Sequence, residues 1–464
     1  MSKTMSKTMR ETLTAGRSID LTSGPVARSM WLFALPLMAG NLLQQFYNVA
    51  DTLIVGRFLG AGALAAVGSS YTVMTFLTSV ILGLCMGSGV LFSMLCGAGE
   101  TERMKNSFVQ SFFFIALVTG LVEGLALLLI DPMLAVFQIP ADILKDTKAY
   151  LQIIFIGLVF TFVYNYFAAL LRALGNSLVP LMFLAVSALG NIVLDLVLIL
   201  EFHMGTAGAA WATITAQFLS ALGIGIYVWV KMPHLLPGRR HFCRDSEILK
   251  KITRYSLLTC VQQSVMNFGI LMVQGLINSY GVTVMAAFAA AVKIDSFAYM
   301  PVQDFGNAFS TFIAQNHGAG RKERIRLGLR AAVLSSGAFC LVISFVVVAF
   351  GGRLMTIFIS PEETQIIRIG VQYLQVEGAC YVGIGCLFLL YGLYRGLGHA
   401  GVSVILTVIS LGTRVALAYL LSPIPAVGLL GIWWAVPIGW FLADIAGFAY
   451  FWKLDRKEKR EAIS

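Results

Sequence analysis

The sequence predicts an all-α polytopic membrane protein: twelve transmembrane helices in two six-helix lobes, related by a pseudo-twofold axis along the membrane normal. Three observations predict it. The 464 residues are 58% hydrophobic and only 12% charged, against about 25% charged in a soluble domain, and the mean hydropathy is +0.82. So few polar groups could not cover a water-exposed surface. Long stretches carry no charge at all, namely Phe58 to Gly99, Thr206 to Val230 and Tyr255 to Val292, and about 20 apolar residues suffice to cross a bilayer. Finally, motifs of the first half recur in the second in the same order and at nearly one offset.

Taken in order, residues 1–28 form a polar, basic tail (Lys3, Lys7, Arg10, Arg17, Arg28) that repeats Met-Ser-Lys-Thr. No apolar core with a small-residue cleavage site follows, so it reads as a cytoplasmic tail and not a signal peptide. The first lobe, residues 29–230, holds six spans starting near residues 28, 63, 107, 147, 178 and 207. A charged loop at 231–250, with Pro233, Pro237 and Gly238, joins it to the second lobe. That lobe, residues 251–452, holds spans starting near 251, 282, 328, 365, 402 and 428, and a basic tail at 453–464 closes the chain. With this count, 26 Lys and Arg fall in the tails and even-numbered loops and 5 in the opposite loops. Basic loops stay cytoplasmic, so both termini are expected inside a plasma membrane, and the net charge of +10 requires no nucleic-acid partner.

The repeat fixes the relation of the halves. Gly97-Ala98-Gly99 recurs 221 positions on as Gly318-Ala319-Gly320. Leu171-Arg172-Ala173-Leu174-Gly175 and Gly208-Ala209-Ala210-Trp211-Ala212 recur 223 positions on, as Tyr394-Arg395-Gly396-Leu397-Gly398 and Gly431-Ile432-Trp433-Trp434-Ala435. Six spans is an even number, so both halves enter the membrane from the same side and are parallel repeats. Two such lobes facing each other suit alternating access. A channel would need a filter or a charge ring, and neither is visible.

Seven cysteines without a CxxC pair exclude a disulfide framework, and five scattered histidines lack metal-ligand spacing. Gly396-Leu397-Gly398-His399-Ala400-Gly401 matches GxGxxG but follows a membrane helix and not a strand, so dinucleotide binding is rejected. No GxSxG, HExxH or Walker A pattern occurs. A transporter is expected, not an enzyme.

The chemistry lies in charges placed where lipid disfavours them. Asp51, Glu123, Asp195, Lys293, Asp295, Asp304, Glu377, Arg414 and Asp444 fall inside predicted spans, where a charge costs about 2.5–3.5 kcal/mol on insertion scales. Glu123 and Asp444 lie close enough to span ends for interfacial water to serve them. Asp195 is flanked by Ile192, Val193, Leu194, Leu196, Val197 and Leu198 and follows Asn191 by one turn, so both share a helix face. A carboxylate poised between desolvation and hydrogen bonding can exchange a proton or coordinate sodium. Asp51 ends a polar stripe, Tyr47-Asn48-Val49-Ala50-Asp51-Thr52. In the second lobe the 223 offset puts Arg414 at the position of Asn191, Ala418 at that of Asp195 and Tyr373 at that of Tyr150, so the lobes are chemically unequal. Lys293 and Asp295 point to different helix faces. Asp295, Glu377 and Arg414 form a candidate second polar site, either a structural ion pair or a further coupling site.

These residues resemble the multidrug and toxic compound extrusion (MATE) transporters over about Ser29 to Trp452. The resemblance rests on Leu35-Pro36, on Asp51-Thr52 followed by Val55-Gly56-Arg57, on Leu170 to Gly175, on Asn191 with Asp195, and on Gly208 to Thr213. It implies a secondary antiporter that exports lipophilic, often cationic drugs against inward H+ or Na+. It also implies cation coupling by Asp51, Tyr150, Asn191, Asp195 and Thr213, with any sodium held at Asp51, Asn191 and Asp195, and a hinge at Pro36. No cofactor beyond the coupling ion is expected, membrane lipids are the surrounding partners, and a monomer is expected. One branch has a carboxy-lobe acidic pair, but here the seventh span offers Gln262 and Gln263 and no carboxylate. A lipid-linked sugar flippase of the same superfamily is the alternative, disfavoured because Lys293 and Arg414 are the only bases placed within spans.

Overall fold

The computed structural model describes residues 18–136, 139–242 and 245–461. The expectations for the first 17 residues, for Cys243 and Arg244 and for the last three residues lie outside them. The described residues form helices joined by short turns and contain no strand. Lipid offers the backbone no hydrogen-bond partners, so each span must satisfy its own N–H and C=O groups.

The first half contains α1 (Val26–Gly60), α2 (Gly62–Ala98) and α3 (Thr101–Leu128). After the short helix Ile130–Val136 come α4 (Ala141–Ile156), α5 (Leu158–Ala173), α6 (Leu178–Leu196) and α7 (Gly205–Lys231). The second half contains α8 (Ser246–Asn278), α9 (Val282–Gly318), α10 (Lys322–Met355), α11 (Thr364–Ala379), α12 (Tyr381–Gly396), α13 (Ala400–Leu421) and α14 (Gly428–Glu461). Among the described residues ten helices are individually long and apolar enough to cross a membrane, and the bent pairs α4–α5 (41°) and α11–α12 (52°) bring the number to twelve if each pair is one span. The two breaks fall at Gly157 and at Cys380, 223 positions apart, so the repeat seen in the motifs is a repeat of bends as well. At 37 residues, α2 and α9 extend about 55 Å, well past a hydrocarbon layer of about 30 Å.

The helices carry their polarity inside out relative to a soluble protein. On α3, Phe113, Leu117, Leu121, Leu125 and Leu128 are exposed while Ser107, Ser111, Ile115 and Thr119 are buried. On α10, Leu334, Leu341 and Phe345 face outward and Ser336, Cys340 and Ser344 inward. Small and hydroxylated residues against protein, with large aliphatics outside, suit helices packed in lipid.

Two compact units result: Met1–Cys260 with Ala314–Gly320, and Val261–Ile313 with Arg321–Ser464. The division of the chain falls within α8 and not in the loop before it. In the first unit, α1 and α2 pack against α4, α5, α6 and α7, and α6 lies along α7. Its core includes an aromatic cluster in which Tyr166 meets Phe92, Phe112 and Phe167 edge-on at 6.0, 5.4 and 6.1 Å. The Tyr166 hydroxyl lies 2.8 Å from that of Ser111. The Gly97 and Gly318 motifs meet here: a side chain on Gly97 would overlap the carbonyl of Gln315, and one on Gly318 the carbonyl of Met94. The repeated glycines let two helix ends touch backbone to backbone. In the second unit, α13 lies along α14, and α10 packs on α11 and α12. Phe288 stacks on Trp433 at 5.7 Å, and Tyr373 meets Trp433 edge-on at 4.9 Å.

Candidate functional site

Four helices of the first unit bring the predicted residues together. Asp51 comes from α1, Tyr150 from α4, Asn191 and Asp195 from α6 and Thr213 from α7. All five are buried, Asp195 completely. The surroundings are apolar, with Val55, Ile154, Ile199, Ala209, Ala210 and Ile214 clustered around Tyr150. The Asn191 amide donates to the Thr213 hydroxyl at 3.4 Å. Asp51, Asp195 and Tyr150 are electrostatic neighbours, so each carboxyl feels the charge of the other. Neither carboxyl oxygen of Asp195 has a donor, nor do Asp51 Oδ1 and Asn191 Oδ1. Directly after Asp195, α6 ends in a π-turn over Val197–Glu201, a distortion that often accompanies functional positions.

Tyr47 stands in the sequence as the start of the polar stripe but not among the expected coupling residues, and the structure adds it to the site. Thr213, Asp51 and Asp195 are its electrostatic neighbours. The available signal was its place one turn before Asp51, on the same face of α1. Pro36, by contrast, is half-buried within α1, fifteen residues from Asp51. The backbone runs helically through it, and the single non-helical residue between Val26 and Ala98 is Gly60, at φ 87°.

The second unit holds another polar cluster. Asp295 on α9 and Glu377 on α11 are buried, and the Tyr373 hydroxyl donates to Asp295 Oδ2 at 3.5 Å. The Tyr381 hydroxyl and Asp295 Oδ1 are buried without a hydrogen-bond partner among the described residues, and Arg414 of α13 contributes an opposite charge to the surroundings of both acids. Among the described residues Arg414 makes no ion pair within 4.0 Å, and its Nε is buried without a partner. Lys293 is exposed, 5.9 Å over the Phe358 ring, while Asp295 two residues on is buried. Ala418, at the repeat position of Asp195, is fully buried. Among the described residues no three His, Cys, Asp or Glu side chains form a metal-ligand group, and the six described cysteines are free.

The sequence model of the MatE family matches residues 36–197 and 256–420, most of both halves. The chain belongs to the MATE family. Among its MATE relatives, the probable multidrug resistance protein YpnP of Bacillus subtilis (strain 168) is 32% identical over 442 residues, covering 94% of this chain and 97% of that protein. The probable multidrug resistance protein YoeA of the same strain is 26% identical, covering 92% and 94%. Among solved structures, MATE in the bent conformation superposes with a TM-score of 0.90 at 23% identity, covering 96% of this chain and 99% of that one. This is the two-lobe MATE fold.

Two charges in this MATE chain correct the sequence reading. Asp444 was assigned to interfacial water at a span end. It is instead 7% exposed in the middle of α14, beside Cys386 and Tyr391, with Oδ1 unpartnered. Arg395 was counted among loop bases, yet it is the penultimate residue of α12 and only 4% exposed. Lys293 and Arg414 are therefore not the only bases within spans. Arg172, at the matching place in α5, is half-buried.

Proposed function

We propose that this MATE chain is a secondary antiporter of the plasma membrane that exports lipophilic cations in exchange for H+ or Na+. The single observation that carries the reading is the buried cluster of Asp51, Tyr150, Asn191, Asp195 and Thr213, with half-buried Tyr47 beside it and both Asp195 oxygens lacking a donor among the described residues. Two neighbouring carboxyls in an apolar interior require positive charge. A shared proton supplies it, and so does a sodium ion held by Asp51, Asn191 and Asp195. Occupation of the site would draw α1, α6 and α7 together, while an empty site favours their separation. Such a differential interaction is what lets a cation shift a conformational equilibrium.

Transport and multidrug resistance are what the relatives' names state, and a transporter without enzymatic chemistry accords with the family. The preference for cationic substrates rests on the excess of buried carboxylates over bases and on abundant aromatic rings, whose faces attract cations by about 0.5–2 kcal/mol each. Asp295, Glu377 and Arg414 stand as a second polar site that supports either structure or coupling. Alternating access of two lobes, cytoplasmic termini and a monomeric state belong to the same reading, as does bending at Pro36.

Accumulation of ethidium in cells stripped of native pumps tests it. Cells making the wild-type chain should hold less ethidium than cells with empty vector, and an ionophore that collapses the cation gradient should erase the difference. Equal export of an anionic dye set would instead favour the lipid-linked flippase reading.

A further inference from the structure

Arg395 has no role in the cation site, and its surroundings are unusual for a guanidinium. It is enclosed by the second unit, 4% exposed. Among the described residues no carboxylate lies within 4.0 Å of it, and its side chain makes one hydrogen bond, from Nη2 to Asn307 Oδ1 at 2.9 Å. A guanidinium carries five N–H donors, so most of them are left over. A buried charge is tolerated when it is paired or hydrogen-bonded, and here one hydrogen bond to a neutral amide is all that the described residues supply.

The guanidinium lines a cavity of about 20 Å3 together with Gln262, Gln263, Gln303, Asn307 and Tyr391. Gln262 is 2% exposed. An amide can turn its NH2 group toward a negative ligand, since both of its orientations fit the same space. The wall thus combines one fixed positive charge with four neutral side-chain amides and no acid. The size decides the ligand class. A single water needs about 10–15 Å3 of such space, so the cavity admits one or two small species and excludes a phosphate, a lipid headgroup or a drug. A water would leave the charge unbalanced, whereas a halide would balance it.

We propose that this pocket binds a small monovalent anion, chloride under physiological conditions, held by the Arg395 guanidinium and the amides of Gln262, Gln263, Gln303 and Asn307. The anion completes the packing of α8, α9 and α12 by neutralising the one buried base that the protein leaves uncompensated there. This site is separate from the coupling of export to a cation.

The test uses the purified full-length protein. Its melting temperature is followed while chloride replaces gluconate at constant ionic strength, and bromide-soaked crystals are examined for anomalous scattering. The expected result is a saturable rise in melting temperature with chloride and a bromide peak beside the Arg395 guanidinium. Arg395→Gln should abolish both. Should that variant fail to fold, Gln303→Leu keeps the charge and removes one amide, and it should weaken chloride binding about tenfold, as expected for a hydrogen bond to an ion. Identical melting in chloride and gluconate, or a pocket holding only water in bromide crystals, overturns the proposal.

Discussion

Thr213 holds a side chain that the proposed coupling site needs in place: its hydroxyl accepts from the Asn191 amide at 3.4 Å. Thr213→Val keeps the shape and deletes the hydroxyl. A lost hydrogen bond of about 1 kcal/mol should weaken the driving cation about fivefold, read as a rightward shift in the cation dependence of export with drug affinity unchanged. Asp444 offers the opposite case. Its buried carboxyl, with Oδ1 unpartnered among the described residues, has no place in the proposed cycle, so Asp444→Asn should leave export intact and hold or raise the melting temperature, since it removes a buried ionisable group. Lost export in a folded Asp444→Asn protein would assign that residue a function. Asp195 was legible because an acid in an aliphatic helix has no local explanation. Tyr150 and Thr213 were reached only through the family resemblance, since a tyrosine or threonine in a membrane helix is no signal by itself. Arg395 and Asp444 were misplaced for one reason: span ends read from composition are uncertain by about a turn, and a turn decides whether a charge meets water or protein.

Among the helices, the contacts that the repeat motifs serve can be tested singly. Gly318 sits where a side chain would overlap the Met94 carbonyl, whereas Gly337 on α10 has open space around its Cα. Gly318→Ala should therefore lower stability by about 1–3 kcal/mol, as overpacking does. Gly337→Ala, a helix-interior glycine replaced without a clash, should raise it by about 0.5–1 kcal/mol. Thermal melting of both variants in one detergent checks the pair, and a loss for each would show that the glycines act through something other than contact. The motif was visible in the sequence as a repeat, but its cause was not, because the Gln315 and Met94 carbonyls are brought there only by the fold. Pro36 presents the converse problem. Proline in a helix interior removes a donor and favours bending, yet α1 keeps helical dihedrals through it. If Pro36 is a hinge of the cycle, Pro36→Ala should fold and bind drug but turn over slowly. Wild-type efflux would make the proline architecture alone.

For the whole molecule, ten straight spans and two bent pairs begin within about a turn of most positions expected from charge and glycine breaks. Lipid makes this much legible, because a span must be both apolar and long. What composition cannot reveal is that α4–α5 and α11–α12 bend, since Gly157 and Cys380 carry no common sequence signal beyond their shared offset. At this scale one buried carboxyl pair is proposed to drive transport by the whole chain, with Asp195 binding the cation whose gradient powers export. The most direct measurement is drug accumulation in proteoliposomes under an imposed H+ or Na+ gradient, comparing wild type with Asp195→Asn. The account predicts that wild type accumulates a lipophilic cation against its gradient, while the folded variant still binds the drug but only equilibrates it. Gradient-driven accumulation by Asp195→Asn at the wild-type rate would contradict it.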